Sequence, residues 1–261
     1  MSLHEVPCNL CGGQEYRIKY VSQEPDLPQQ KRHFEASTDH YGYFGQIVTC
    51  KTCGLVFTNP RATDEDLLAE YGSCEDEEYK EEGPARSINA YFSLNTIGRF
   101  IKKGRLLDLG CSTGYFLNAA RLQFDSVGVE PSVSASGYAR DTLKLNVTTG
   151  TLETLNPAPE SFSIVTLLDV IEHVPHPQEL LRSVHGIIEP NGYIYLVTPN
   201  IKGFVARLLR SKWWGLRPAH IFYFSPETLG KMLENAGFEV VFTRSFGRAF
   251  TAQYWVSRLK N

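Results

Sequence analysis

The stretch Arg105-Leu-Leu-Asp-Leu-Gly-Cys-Ser-Thr-Gly-Tyr-Phe116 decides how the rest of this 261-residue chain is read. Leu106 to Leu109 is a short apolar run that ends in a turn of Gly110, Cys111, Ser112, Thr113 and Gly114. Phe116, Leu117, Ala119, Ala120 and Leu122 follow at helical spacing, so a strand feeds a glycine turn that opens a helix. That unit builds the ligand crevice of doubly wound α/β sheets. Gly110 and Gly114 are expected to let the backbone approach a ligand where a Cβ would collide. Twenty residues beyond Gly110, Phe124-Asp-Ser-Val-Gly-Val-Glu130 reads as a second strand ending in an acid. Its carboxylate can accept both hydroxyls of a ribose.

Two cofactors suit such a crevice. A dinucleotide fingerprint puts glycine where the pyrophosphate comes close. Here Asp108 holds that position, and a carboxylate would repel phosphate while attracting the ammonium of a methionine tail beside a sulfonium. The pattern Asp108-x-Gly110-x-x-x-Gly114 with Glu130 therefore favours S-adenosylmethionine over a nicotinamide or flavin nucleotide. A glycine turn with a helix-capping acid is the structural alternative.

The chain here resembles the class I S-adenosylmethionine-dependent methyltransferases, over residues 86 to 261. Four segments in the right order carry the resemblance: Leu107-Asp-Leu-Gly-Cys-Ser-Thr-Gly114, Val127-Gly-Val-Glu-Pro131, Leu168-Asp-Val-Ile-Glu-His-Val174 and Glu189-Pro-Asn-Gly-Tyr-Ile-Tyr-Leu-Val-Thr-Pro-Asn200. The resemblance implies a cofactor site that includes Cys111, Pro131 and the turn at Gly150-Thr-Leu-Glu153. Thr151 stands where an acid often receives the adenine amine, so adenine recognition is expected from backbone groups of Thr151 and Leu152. Asp169, at the carboxyl end of the buried run Ser163 to Asp169, is expected near the methionine portion. Cys111 reads as a small turn residue, since direct methyl transfer needs no nucleophile.

The implied architecture is an α/β doubly wound, Rossmann-like seven-stranded sheet, mostly parallel with the last strand antiparallel. The final two strands are expected at 237–243 and 251–256. Three regions divide the chain: a small zinc-ribbon-like domain at 1–62, a helical connector at 63–103 and the methyltransferase domain at 104–261. A formal charge of −3 weighs against nucleic acid as the main partner. No apolar run is long enough to cross a bilayer and no signal segment opens the chain, so a cytoplasmic protein is expected. The number of associating chains is not legible.

Cys8-Asn-Leu-Cys11 and Cys50-Lys-Thr-Cys53 are paired knuckles, each followed by a glycine. Four thiolates at this spacing make a closed tetrahedral site for a structural Zn2+. The 38 intervening residues exceed the usual gap. A redox dithiol competes, but two matching knuckles argue against it. His33 and His40 read as loop residues, because four cysteines already fill the shell. In the connector, Thr63 caps a short helix, 75–82 is an acidic surface or loop, Cys74 is incidental, and Tyr79, Arg86 and Tyr91 could cover the crevice, with packing the alternative and favoured role for each aromatic.

After the fifth expected strand, Phe204 to Arg217 carries Arg207, Arg210, Lys212 and Arg217 beside Trp213 and Trp214. This insertion reads as an acceptor lid for an anionic small molecule such as a nucleotide-linked sugar. The alternatives are a basic helix packed by its apolar side, or peripheral contact with anionic lipid. His220 follows the lid and is expected to be the base or an acceptor contact, with His173 second, since imidazole titrates near the working range.

The cysteine knuckles, Glu172-His173 and the His220 segment together resemble bacterial sugar or small-metabolite methyltransferases. A second reading rests on Asp169-x-x-Glu172-His173 plus His220. It resembles the metal cluster of small-RNA terminal methyltransferases and some quinone O-methyltransferases, with Asp169 one methylene shorter than that pattern. An RNA methyltransferase gripping nucleic acid through its knuckles, and a non-catalytic cofactor-binding module, are the remaining alternatives.

Overall fold

The computed structural model describes residues 3–23, 44–72 and 83–251. Expectations at His33, His40, Cys74, Tyr79, 75–82 and 252–256 lie outside the described residues.

In chain order the elements are β1 (Tyr16–Tyr20), β2 (Ile47–Cys50), β3 (Val56–Thr58), α1 (Asp64–Gly72), α2 (Gly83–Ile97), β4 (Arg105–Leu109), α3 (Tyr115–Ala120), β5 (Asp125–Glu130) and α4 (Val133–Gly137). They continue with β6 (Val147–Thr149), α5 (Leu152–Leu155), β7 (Phe162–Leu168), α6 (Pro177–Ile187), β8 (Ile188–Val197), α7 (Phe204–Leu209), β9 (Phe222–Tyr223) and α8 (Pro226–Asn235).

The main sheet runs β6-β5-β4-β7-β8, and each neighbouring pair is parallel. Its centre is apolar because both faces are covered. In β7, Phe162, Ile164, Val165 and Leu167 are all buried, as are Leu106, Leu107 and Leu109 of β4. At roughly 1.5–3 kcal/mol for each large side chain removed from water, these two strands anchor the fold. Leu107 pairs with Val127 on one side and with Val165 on the other, which fixes the register at the centre. Short polar caps set the helix starts: Ser132 Oγ accepts from Ala135 N–H, and Ser225 Oγ accepts from Thr228 N–H.

Two features depart from the sequence expectation. The main sheet has five strands among the described residues, and 237–243 forms none. Val240, Val241 and Phe242 stay partly exposed there, and Phe242 packs on Phe100 with ring centroids 5.8 Å apart. The second departure concerns β9. This two-residue strand lies between the lid and α8, yet it pairs with β3 and completes an antiparallel sheet in the order β1-β2-β3-β9. The sheet that carries the second cysteine knuckle is therefore closed by residues 222–223.

Candidate functional site

The chain leaves β4 toward β5 on one side and later returns to β7 on the other. The crevice opens where those connections diverge, at the carboxyl ends of the strands. It opens into a groove of about 1370 Å³ in all, which runs on along β8 as far as the start of that strand at Ile188.

The turn after β4 is held from beneath. Gly110 N–H and Cys111 N–H both donate to Val129 O, at 2.9 and 3.2 Å. Gly110 has φ 74° and Gly114 φ 83°. A Cβ on Gly110 would meet Val170 Cγ2 at 2.5 Å, and one on Gly114 would meet Leu145 Cδ1 at 2.5 Å. Both glycines are thus required by the protein's own packing, whereas the sequence suggested ligand approach. Gly110 lines the crevice and Gly114 does not.

Glu130 ends β5 with 1% exposure and lines the crevice. Its Oε2 accepts from Ser112 N–H and its Oε1 from Ser132 N–H, both at 2.9 Å. Each oxygen keeps a second lone pair, the number a vicinal diol needs. Burial raises its carboxyl above the usual range, and the two N–H donors oppose that rise.

Asp108 is the residue expected to attract a ligand ammonium. It is 1% exposed, lies below the crevice wall, and its Oδ1 accepts from Thr166 Oγ1 at 2.7 Å. That hydroxyl is a partner within the sheet, beside any role toward a ligand. Burial, with the nearby Glu130 charge, pushes Asp108 up to about 7 against the pull of Thr166. Cys111 is likewise buried off the crevice, and burial pushes its thiol well up. Pro131, Thr151 and Leu152 also stand outside the lining. Thr151 N–H donates to Thr154 Oγ1 at 3.3 Å, and Leu152 belongs to the core.

The crevice wall instead includes Ser112, Thr113, Ser132, Ser134 and Ala135. Thr113 Oγ1 is buried with no hydrogen-bond partner among the described residues, a donor and acceptor open to a ligand. In the sequence Ser112 and Thr113 read only as turn residues, and residue type alone does not single out Thr113.

At the end of β7, Asp169 lines the crevice with φ 58°. Arg248 grips both its oxygens, one of the bonds measuring 2.6 Å. A ligand ammonium at this carboxylate would share it with that guanidinium. Arg248 carried no signal in the sequence, because it lies in a stretch without regular structure.

Glu172, His173 and His220 meet in the wall of the same crevice. One ligand atom from each lies within 4.8 Å of the others, and the two imidazole centroids are 4.8 Å apart. His173 Nδ1 faces Ala219 O and His220 Nδ1 faces Gly215 O, both at 2.9 Å. A carbonyl can only accept, so each Nδ1 carries the proton and each Nε2 keeps its lone pair. Glu172 Oε2 accepts from Thr198 Oγ1 at 2.9 Å, while its Oε1 is buried without a partner among the described residues. Burial and the Asp169 charge raise Glu172 to about 8; burial lowers His173 to about 4 and His220 well below 6.5. Neutral imidazoles of this kind suit ligation better than proton storage.

Of the four basic groups expected on the lid, Arg217 lines the crevice; Arg207, Arg210 and Lys212 do not. Elsewhere, the thiols of Cys8, Cys11, Cys50 and Cys53 all lie within 4.8 Å of one another. Cys8 Sγ and Cys53 Sγ are 3.4 Å apart, and Cys11 Sγ and Cys50 Sγ 3.5 Å. Four such sulfurs could hold one tetrahedral ion.

The parallel sheet, the glycine turn and the buried acid ending β5 define a doubly wound domain with a crevice at its switch point. The chain belongs to the methyltransferase domain family, whose model matches residues 78–242. Similar curated relatives are ubiquinone biosynthesis O-methyltransferases. That of Azorhizobium caulinodans is 32% identical over 54% of this chain and 61% of its own length. That of Ruegeria pomeroyi is 30% identical over 54% and 62%, and that of Vibrio atlanticus 28% over 66% and 77%. The chain thus spans about three fifths of the first two relatives. Among solved structures, a SAM-dependent methyltransferase from Thermotoga maritima shares 25% identity with a TM-score of 0.51, over 62% of this chain and 76% of its own. One from Archaeoglobus fulgidus shares the fold at 21% identity, with a TM-score of 0.54, over 71% and 91%. No helix among the described residues is long and apolar enough to cross a membrane.

Proposed function

We propose that this chain is an S-adenosylmethionine-dependent O-methyltransferase for a small hydroxyl-bearing acceptor, with a divalent cation held by Glu172, His173 and His220. The observation that carries the reading is the orphaned, buried Oε1 of Glu172 beside two imidazoles whose Nε2 lone pairs are left open. Two nitrogens and a carboxylate oxygen form a donor set that suits a divalent ion. The relatives' names support an oxygen acceptor.

Glu130 would take the ribose hydroxyls, with Ser112 and Ser132 N–H holding its carboxylate in place. Thr113 Oγ1 and Asp169 would meet the cofactor's polar tail. The bound sulfonium supplies an already activated methyl carbon. A cation at the cluster would lower the pKa of a coordinated hydroxyl, which removes the need for a strong side-chain base. The chain's remaining task is alignment, where holding the reactants in line accounts for much of the rate. Arg217 lines the same space and favours an acceptor that carries an acidic group, while Arg248 there is paired with Asp169. Zn2+ in the four-cysteine site is assigned a scaffolding part.

The test is methyl transfer to a panel of hydroxylated aromatic acids and nucleotide sugars, with and without added Mg2+ or Zn2+. The reading expects O-methylation that needs added cation and is lost in Glu172→Gln. Transfer only to amines, or transfer to oxygen indifferent to a chelator too weak to strip the cysteine site, would overturn it.

A further inference from the structure

The two halves of the Glu172, His173 and His220 cluster are tied to each other, and both are tied to the cysteine module. Ile221 N–H and Phe222 N–H donate to Glu172 O at 3.0 and 3.1 Å, and His173 donates to Ala219 O. The strand that fixes this segment, β9, pairs with β3: Phe57 stands opposite Phe222, and Val56 opposite Tyr223. Thr58 adds two bonds, from its N–H to Ile221 O at 2.9 Å and from its Oγ1 to His220 O at 3.3 Å. β3 in turn begins directly after the knuckle that contains Cys50 and Cys53, where Cys50 N–H donates to Leu55 O at 2.9 Å.

The loop that follows His173 is clamped from the same module. Arg61 is 5% exposed, and its Nη2 donates to Pro175 O and to Asp64 Oδ1, both at 3.2 Å. Asp64 Oδ2 meets His176 Nε2 at 2.5 Å. The first knuckle contributes as well, since Asn9 Oδ1 accepts from Gln178 N–H at 3.1 Å, in the first turn of α6. None of Asn9, Thr58, Arg61 and Asp64 lines the crevice. A buried guanidinium is costly to place, and Arg61 keeps Nε and Nη1 without partners among the described residues.

We infer that Thr58 and Arg61 are positioning residues for the Glu172, His173 and His220 cluster, so that the cysteine knuckles set the geometry of a site they do not touch. This rests on the functional reading only for the part that concerns turnover. The cofactor side is built separately, by Ser112, Glu130 and Ser132 on β4, β5 and their loops. Loosening the module should therefore disturb the acceptor side and spare cofactor binding.

The experiment uses the full, zinc-loaded chain with isotope-labelled histidine, and compares Thr58→Val, Arg61→Gln, Arg61→Lys and Asp64→Asn with the parent protein. Three quantities are read: the hydrogen-bonded Nδ1–H signals of His173 and His220 by NMR, affinity for S-adenosylhomocysteine, and kcat with KM for the acceptor. In Thr58→Val and Arg61→Gln the Nδ1–H signals shift or broaden, and kcat falls roughly ten- to a hundredfold. Affinity for S-adenosylhomocysteine stays within about twofold, as for distant sites that share no partners. Arg61→Lys, which can still donate to Pro175 O, recovers part of the loss. Should Arg61→Gln fail to fold, Thr58→Val and the half-exposed Asp64→Asn still decide the matter. Unchanged imidazole signals in the folded variants would overturn the inference. So would a fall in cofactor affinity proportional to the fall in kcat, which would mark general loosening. A parent protein that turns over no acceptor sinks the functional reading instead, and the imidazole signals still test this one.

Discussion

Asp108 gives the molecule a pH dependence that can be worked out from its position. It sits at the centre of the sheet with 1% exposure, and burial lifts its carboxyl from 3.8 to about 7. The unfolded chain releases this proton near 3.8, whereas the folded chain holds it until about 7. Between those values the folded state binds more protons, so stability falls as pH rises. From about pH 5 to the folded pKa near 7, each pH unit removes about 1.4 kcal/mol, or roughly 2–3 kcal/mol in all. Above about pH 7 both states are ionised and the loss levels off. Against a typical domain stability of about 5–15 kcal/mol this is readily measured. Asp108→Asn removes the titration and keeps an Oδ1 that can accept from Thr166 Oγ1. Urea unfolding of cofactor-free parent and variant, followed by circular dichroism at about pH 5, 6.5 and 8, reads the effect of Asp108 together with its coupling to Glu130, because Glu172 titrates in both proteins and cancels. The variant's stability relative to the parent should rise by roughly 2–3 kcal/mol across that range. Parallel curves for the two proteins would refute the reasoning.

Three further outcomes follow from the geometry. Glu130→Gln replaces a carboxylate that accepts two N–H bonds with an amide that must turn its NH2 toward one of those donors. Loss of charged bonds worth roughly 1.5–3 kcal/mol should weaken S-adenosylhomocysteine binding about ten- to a hundredfold by calorimetry, and equal affinity would remove Glu130 as the ribose contact. Gly114→Ala combines φ 83° with a Cβ 2.5 Å from Leu145. It should cost roughly 2–4 kcal/mol, a fall of about 5–15 °C in Tm, with little change expected only if the turn can rebuild. Cys53→Ser should take zinc from about one ion per chain to near none by elemental analysis; retained zinc would show that the four cysteines are not its site.

The sequence carried the sheet well where physics is local. β4 and β7 are mainly apolar runs that a covered sheet hides, and Ser132, Thr63 and Ser225 stand at helix starts with side-chain caps. The knuckles were legible from spacing, and the structure brings their thiols together. Long-range pairings were not legible. Phe222 and Tyr223 are too short a run to show any period, so their place beside β3 could not be read. The charge at Asp108 was visible, but its partner Thr166 lies 58 positions away and could not be read. Arg248 reaches Asp169 across 79 positions from a stretch without strand or helix. No strand forms at 237–243, where Phe242 packs on Phe100, and 252–256 of the expected partner strand lie outside the described residues.

The central claim is that the crevice carries a sulfonium-borne methyl group to an acceptor oxygen beside Glu172, His173 and His220. Incubating the zinc-loaded chain with S-adenosylmethionine labelled in its methyl carbon, a hydroxylated aromatic acid and a divalent cation, then locating the label by NMR, tests it directly. The label should appear as an O-methyl group with cation present and be absent from a Glu172→Gln reaction. Label that stays on the sulfonium, or arrives on nitrogen or carbon, would contradict it.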